Sequence, residues 1–475
     1  MINYHSRTKI IATIGPASSS IETLEQMVRK GIDVCRLNFS HSSYENHLEI
    51  INNVRILNKK LNTNIALLAD LQGPKLRIGE VENNGVQINP GDIIRFVNQD
   101  CVGNKERVYM SYKEFPQDVK PGDTILIDDG KLKLEVIDTN NIDTVSAKVV
   151  FGGILSSRKG VNLPNTKISL PCLTEKDLKD LHFALENDVN WIALSFVRVA
   201  TDILDVKSII KKHHKHVRVI AKIEKPEALQ NIDEIIDLTD AIMIARGDLG
   251  VEIPFEQVPV EQKRIVEKCI SASKPVIIAT QMMESMIQNF SPTRAEATDV
   301  ANAVCDGADA VMLSGETSVG KYPVKVIESM QKIINYAEDN VYNFFRFPQS
   351  IDFTQTFMPD SICLNACKLA QQANAKAIIT FTYTGYTTIK VSSYRPKAQI
   401  FAFTSNESLL CKLPLIWGVR GYYFDKYDNI DNAINYTIDF LKNQGLLKHE
   451  DIVIHVGSIP LNERGQTNML KISYV

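Results

Sequence analysis

Short, wholly apolar runs alternate with helix-length amphipathic stretches through the first 70 residues. Lys9–Ile14 is expected to be a strand, Ser18–Lys30 a helix closed by Gly31, and Asp33–Leu37 a second strand. Tyr44–Leu61 is expected to be a helix and Ile65–Asp70 a third strand. Strands apolar on both faces belong to a parallel sheet covered by helices. From Gly73 to about Lys167 no long amphipathic helix is written; β-branched runs are broken by Asn83-Asn84-Gly85, Asn89-Pro90-Gly91, Lys120-Pro121-Gly122 and Asp129-Gly130. That pattern predicts a small all-β domain. The βα rhythm resumes with a helix at Thr174–Asn187. Strands follow at Trp191–Ser195, Val217–Lys222, Ala241–Ala245, Val276–Thr280 and Ala310–Leu313. About eight βα units result, the number that closes a TIM (β/α)8 barrel; a doubly wound open sheet satisfies the same alternation. A last α/β stretch begins near Met358, with strands including Ala377–Thr380, Gln399–Phe403 and Asp451–His455. The expected division is a first barrel part at 1–72, an inserted all-β lid domain at 73–167, a second barrel part at 168–345 and a C-terminal α/β regulatory domain at 346–475.

Composition narrows the class. The chain has 475 residues, 44% of them apolar and 23% charged, with a formal net charge of −3. This is ordinary for a globular protein of about three domains. The small negative charge argues against a non-specific binder of nucleic acid or of anionic membranes. The eight cysteines form no CxxC pair. They read as reduced thiols, mostly buried. No apolar signal core and no run of about 20 apolar residues is written, so a cytoplasmic location is expected.

The chemistry concentrates at the expected C-terminal ends of the barrel strands, where such barrels carry their active sites. Arg36, Asn38, Ser40 and His41 follow one strand, and Asp70 ends the next. Lys222 and Glu224, then Arg246-Gly247-Asp248, then Thr280 and Gln281, then Ser314 and Glu316 end the later ones. Glu224 and Asp248 suit a hard divalent ion, which takes a few carboxylates plus water and substrate oxygens. Lys222 and Arg36 suit the oxygens of a phosphoryl group in transfer. Gly247 allows close approach of backbone, and N–H groups of a short helix starting near Ala245–Asp248 could hold a carboxylate. The set points to Mg2+ and an anionic, phosphorylated carboxylate; the bland reading is a ring of solvated loops.

Ordered strings then carry a resemblance: TKIIATIGPAS, CRLNFSH at Cys35–His41, ADLQGPKLR at Ala69–Arg77, KGVNLP at Lys159–Pro164 and AKIEKPEAL at Ala221–Leu229. MIARGDLGVEIP, ATQMMESM, PTRAEATDVANAV and DGADAVMLSGET follow. Over nearly its full length the chain resembles the pyruvate kinases. The resemblance implies transfer of the phosphoryl group of phosphoenolpyruvate to ADP, giving pyruvate and ATP. Arg36, Lys222 and Thr280 would be catalytic, with Ala245, Gly247 and Asp248 also at the substrate. Glu224 and Asp248 would ligate Mg2+, or Mn2+ in its place. Asn38, Ser40 and Asp70 would form the monovalent-cation site. His41, Arg77 and, from the lid, Asp128 would lie on the nucleotide side. A homotetramer is also implied.

Departures qualify the resemblance. Potassium-requiring members carry a glutamate in the string DxxGPE; here that position is Lys75, and Leu71-Gln72 replaces the usual Thr-Lys. A tethered ammonium supplies the single positive charge of a monovalent cation. The enzyme is therefore expected to work without K+, in the lysine-substituted branch; the alternative is a surface lysine unrelated to catalysis. Val199 stands where many relatives have lysine, and Lys225 where many have asparagine. In the family a hydroxyl-rich loop at the position of Thr382, Thr384, Gly385 and Thr387 holds the phosphate of a sugar-phosphate effector. The same residues also read as a helix N-terminus capped by Thr384. Arg464 could add charge there, but the last loop lacks the Trp-Arg signature of fructose-bisphosphate-activated members, so a sugar phosphate or a nucleotide stays open. The extra C-terminal domain of some bacterial members is expected to be absent. Lys211–His216 reads as a solvated helix end rather than a metal or nucleic-acid patch. Met282, Met283 and Met286 read as packing residues and Trp417 as core. The competing functions are another Mg-enolate barrel, such as a lyase acting on pyruvate, and a catalytically dead metabolite-binding scaffold.

Overall fold

The computed structural model describes residues 6–164, 166–348, 353–425, 429–460 and 466–475. Eight parallel strands close into a barrel: β1 (Lys9–Thr13), β2 (Val34–Asn38), β3 (Ala66–Asp70), β4 (Trp191–Leu194), β5 (Arg218–Ile223), β6 (Ala241–Ala245), β7 (Val276–Ala279) and β8 (Ala310–Leu313). Each pairs with its neighbour, and β1 pairs with β8 to close the ring. The open-sheet alternative is therefore excluded. Alternate side chains explain the apolar runs. Ile11, Val34, Leu68, Trp191, Ile220, Met243 and Ile277 fill the interior. Ile10, Cys35, Leu67, Ile192, Val219, Ile242 and Ile278 pack outward under the helices.

Local signals set the helix ends. Ser20 and Ser43 accept the N–H groups of Thr23 and Asn46 at two N-termini, and Thr174 and Thr293 form capping boxes with Asp177 and Glu296. Gly31 ends the first helix at φ 115°, a left-handed conformation that costs glycine nothing.

Between β3 and β4 the chain builds a separate β unit with its own apolar core. A six-stranded sheet runs in the order 161–162, 124–127, 132–139, 144–151, 93–97, 107–109, beside a two-stranded sheet of 153–156 with 85–88. The turn residues predicted from sequence take left-handed conformations: Asn83, Asn84, Gly91, Gly122, Asp129 and Gly130 all have positive φ. After the barrel, a five-stranded sheet orders Val419–Tyr423, Gln399–Thr404, Ala377–Phe381, Ile452–Gly457 and Met469–Tyr474, the last strand antiparallel.

The C-terminal unit closes the N-terminal end of the barrel. Leu415 joins the cluster inside it. Just before β8, buried Asp309 accepts Arg395 Nη1 at 3.2 Å and Nη2 at 2.7 Å, together with the N–H groups of Val276 and Trp417. The Arg395 guanidinium lies 5.1 Å from the ring centre of buried Trp417. With this end sealed, the opposite rim is the open face of the barrel. All eight cysteines are free. Among the described residues no helix is long and apolar enough to cross a membrane, and no group of three or more His, Cys, Asp or Glu is arranged to hold a metal. The side chains of His213, His214 and His216 are exposed, and Met282, Met283, Met286 and Trp417 are fully buried.

Removing one partner of a buried pair leaves the other charge uncompensated. Arg395→Met is expected to cost about 3 kcal/mol, seen as a thermal midpoint several degrees lower when unfolding is followed by tryptophan fluorescence. An unchanged midpoint would mean that the pair is energetically neutral.

Candidate active site

Strand register brings the polar residues together at the open rim. In the β2–β3 ladder Arg36 lies beside Leu68 and Asn38 beside Asp70; in the β6–β7 ladder Ala245 lies beside Ala279. From these strand ends Arg36, Asp70, Lys222 and Glu224 form one buried cluster. Arg36 Nε donates to Asp70 Oδ2 at 2.7 Å, and Arg36 Nη1 to Thr13 Oγ1 at 2.8 Å. Lys222 Nζ reaches Asp70 Oδ1 at 3.1 Å, Glu224 Oε1 at 3.0 Å and Ser195 Oγ at 2.6 Å. Glu224 Oε2 accepts the N–H of Phe196 at 2.8 Å.

The electrostatics follow from this packing. Burial opposes ionisation of Asp70, but Lys222 and Arg36 outweigh it and hold the carboxyl below its ordinary value. Burial also disfavours charge on Lys222, yet Asp70 and Glu224 outweigh it and raise the ammonium above the ordinary lysine value. Burial raises the Glu224 carboxyl; Lys222 opposes that shift and Asp248 adds to it. Glu224 and Asp248 thus repel each other across the rim, and a divalent cation between them would relieve both. Two carboxylates with room for water and substrate oxygens fit the donor set that Mg2+ takes.

Two neighbours complete the rim. Asp248 belongs to the helix Arg246–Glu252, which starts directly from β6. Lys75 Nζ lies 3.8 Å from Asp248 Oδ1. The recorded ion pair of Lys75 is thus with Asp248 rather than with Asp70. Thr280 follows β7 at φ 69°, a conformation rare for a β-branched residue. Its Oγ1 accepts the Gly247 N–H at 2.7 Å, and its carbonyl accepts Arg246 Nη2 at 2.8 Å. Arg246 is itself held by both oxygens of Asp299 at 2.7 Å.

The remaining expected residues lie around this cluster. Asn38 Oδ1 accepts the Ser40 N–H, which fixes the turn after β2. His41 is exposed, and its imidazolium is disfavoured by partial burial and by Arg77, Lys75 and Arg36. A cationic neighbourhood of that kind receives anions. Asp128, in the inserted β unit, pairs with Lys131 and Lys159 at 2.9 Å and is held below the ordinary carboxylate range by them. Two residues on, Gly130 faces Val251 of the helix that carries Asp248, 3.8 Å from where a Cβ would stand. Thr382, Thr384, Gly385 and Thr387 lie apart, in the C-terminal unit. There the expected Thr384 cap is replaced: Gly385 is the N-cap of the helix Tyr386–Ser393, and its N–H is taken by Thr382 Oγ1. Thr384 Oγ1 sits 3.4 Å from the Tyr386 N–H, while its carbonyl accepts Arg218 at the start of β5. Arg464 lies outside the described residues.

Some participants carried no usable sequence signal. Ser195 and the Phe196 N–H orient Lys222 and Glu224, and Asp177 holds Gly73, where the chain leaves the barrel, through its N–H at 3.0 Å. The place of Ser195 after a barrel strand was its one available clue. Glu316, expected among the rim groups, turns inward to accept the N–H groups of Met283 and Ser314.

The profile for "Pyruvate kinase, barrel domain" matches residues 5–327, and that for "Pyruvate kinase, alpha/beta domain" matches 360–473. The chain belongs to the pyruvate kinase family. It is 41% identical to a pyruvate kinase of Geobacillus stearothermophilus over 99% of this chain and 80% of that one. It is 40% identical to that of Clostridium acetobutylicum over 99% of each. A crystal structure of a pyruvate kinase from Cryptosporidium parvum superposes with a TM-score of 0.92 at 35% identity, over 99% of this chain and 96% of that one.

The ordinary carboxylate titrates near pH 3.9. Asp70 is held lower, so its pairing contributes fully above about pH 4 and is lost as pH falls through its folded value. The difference in thermal midpoint between the parent and Asp70→Asn should be constant from pH 8 to 5 and shrink below about pH 4. A gap that instead grows on acidification would contradict the ion-pair assignment.

Proposed function

We propose that the chain transfers the phosphoryl group of phosphoenolpyruvate to ADP, giving pyruvate and ATP, as a cytoplasmic glycolytic enzyme. The observation that carries this reading is the cluster of Arg36, Asp70, Lys222 and Glu224 with Asp248 beside it. Two cations gathered about Asp70 at the barrel rim, next to two carboxylates that repel each other, fit a phosphorylated carboxylate held with a divalent ion.

In this reading an oxygen of the ADP β-phosphate attacks phosphorus, and the bond from phosphorus to the enol oxygen breaks. Arg36 grips the phosphoryl oxygens on one side. Lys222, kept protonated by Asp70 and Glu224, neutralises the charge that spreads over them in transit. Mg2+, or Mn2+ in its place, held by Glu224 and Asp248, supplies Lewis-acid charge neutralisation. Ala245, Gly247 and Asp248 present backbone to the substrate carboxylate. The departing enolate takes a proton at C3 through water positioned near Thr280. His41, Arg77 and Asp128 face the nucleotide, and the inserted unit closes over it, excluding water.

Lys75 replaces the monovalent cation in this proposal, which places the chain in the K+-independent branch. Its support is the ammonium 3.8 Å from Asp248, on the same rim as Asn38, Ser40 and Asp70. A sugar phosphate or a nucleotide would act as effector at Thr382, Thr384, Gly385 and Thr387. The link from Arg218 to the Thr384 carbonyl, at 3.2 Å, gives that loop a direct tie to the strand bearing Lys222. The assembly is proposed to be a homotetramer.

The deciding experiment follows pyruvate formation from phosphoenolpyruvate, ADP and Mg2+ by coupled NADH oxidation, with KCl exchanged for choline chloride at constant ionic strength. Turnover is expected in both salts. Many-fold activation by KCl would keep the kinase and remove the role of Lys75; no turnover in either, with folded protein and effectors added, would move the assignment to a lyase or a scaffold. Lys75→Met should lower kcat at least tenfold in choline and recover part of it in KCl. Lys222→Met should lower kcat about a thousandfold with little change in KM, because its charge is used mainly in the transition state.

A further inference from the structure

Behind the rim lies a second buried ion pair that the reaction does not use. Lys225 directly follows Glu224, and its Nζ reaches Glu252 Oε1 at 2.7 Å; both side chains are almost fully buried, at 7% and 1% exposed. Glu252 is the last residue of the helix Arg246–Glu252, whose first turn carries Asp248. The pair therefore joins the loop that carries one rim carboxylate to the far end of the helix that carries the other.

The same oxygen takes a second partner, from outside the barrel. Asn162 Nδ2 donates to Glu252 Oε1 at 2.8 Å. Asn162 lies on the strand Val161–Asn162 by which the inserted β unit returns to the barrel. Lys75, on the outgoing connection, meets Asp248 at the start of the same helix. Next to Glu252, Val251 faces Gly130 of the inserted unit, 3.8 Å from where a Cβ there would stand. One seven-residue helix thus meets the inserted unit in its first turn and at its end, and Lys225 fastens it to the Glu224 loop. Lys75, Asn162, Lys225 and Asp248 line a common cavity between the two units.

We propose that Lys225, Glu252 and Asn162 form a positioning unit: Lys225–Glu252 sets the separation of Glu224 and Asp248, and Asn162 makes that separation respond to the position of the inserted unit. The proposal rests on the reading of Glu224 and Asp248 as the divalent-metal pair. Burial makes the unit stiff, because Glu252 has no solvent to replace Lys225 and its Oε2 is buried without a hydrogen-bond partner among the described residues. Small displacements matter at such a site, since about 1 Å of misplacement can cost about a hundredfold in rate.

The test uses the full-length protein and Mn2+ as probe, with free Mn2+ counted by electron paramagnetic resonance. Lys225→Met and Glu252→Gln are each expected to weaken Mn2+ binding at least tenfold and to lower kcat at least tenfold at saturating substrates. Their double variant should be no worse than either alone, because both remove one interaction. Lys225→Arg should restore binding and kcat to within about threefold, as the charge and a donor return. Asn162→Ala, which keeps the ion pair, should lower kcat about fivefold and weaken Mn2+ binding chiefly when phosphoenolpyruvate is present. Folded Lys225→Met and Glu252→Gln proteins with Mn2+ binding and kcat within twofold of the parent overturn the proposal. If Lys225→Met does not fold, parent-like kcat and Mn2+ binding in Asn162→Ala overturn it. Asp248→Asn separates the two readings: if it too binds Mn2+ like the parent, the metal-pair assignment itself falls, whereas loss in Asp248→Asn alone removes only the positioning unit.

Discussion

Charges buried at the mouth of an apolar barrel are tolerated only when opposite charges touch, and the whole rim follows from that constraint. Asp70 sits between Arg36 at 2.7 Å and Lys222 at 3.1 Å, and Lys222 in turn reaches Glu224 at 3.0 Å. The four formal charges cancel, which makes the cluster stable enough to be buried. In this cluster the three N–H groups of Lys222 are taken by Asp70, Glu224 and Ser195, so a phosphoryl group must displace one of them, whereas the five N–H groups of Arg36 exceed the two given to Asp70 and Thr13. A site that is neutral by itself and gains positive charge only with its divalent ion is matched to a substrate that arrives as a multiple anion.

Holding this arrangement requires backbone conformations that the residues resist. Phe196, Thr280 and Gln281 all lie in the left-handed region, at φ 56°, 69° and 55°. Such positions cost of order 1–3 kcal/mol each and persist because their surroundings fix them. Phe196 donates its N–H to Glu224, and Thr280 is tied at both its hydroxyl and its carbonyl to Gly247 and Arg246. Gly73, at φ 69°, packs so closely that a Cβ there would lie 2.7 Å from the Phe196 ring. The outgoing connection of the inserted unit and the Glu224 support are therefore one packed structure.

How much of this was legible in the sequence depended on whether the information was carried by side-chain type or by contact. Arg36, Asp70, Lys222, Glu224, Asp248 and Thr280 could be named because each ends an apolar run, and the ends of barrel strands share a rim. The eight-strand count and the change of rhythm at Gly73 were likewise local signals. The order of the strands in the inserted sheet was not legible, because it depends on pairings between distant segments that alternation alone does not specify. Ser195 and the Phe196 N–H escaped for a different reason: serine is common after strands, and a backbone donor has no letter of its own. Thr384 fitted a capping pattern, yet the left-handed Gly385 beside it starts the helix; composition identified the turn and mislaid the cap by one residue.

The polar contacts at the two connections of the inserted unit explain why insertion after β3 is compatible with a precise site. An inserted domain is free to move unless its entry and exit are fastened. Here entry and exit are both fastened to the helix Arg246–Glu252, through Lys75 to Asp248 and Asn162 to Glu252. The first of these contacts is long and partly exposed, at 3.8 Å with a third of each side chain accessible, so it is weak and adjustable. The second is shorter, at 2.8 Å, and partly buried, with Glu252 itself buried. Movement of the inserted unit would then pivot about the Asn162 end and swing at the Lys75 end, the end that faces Asp248. The inserted unit and Asp248 are thereby linked through one charge contact.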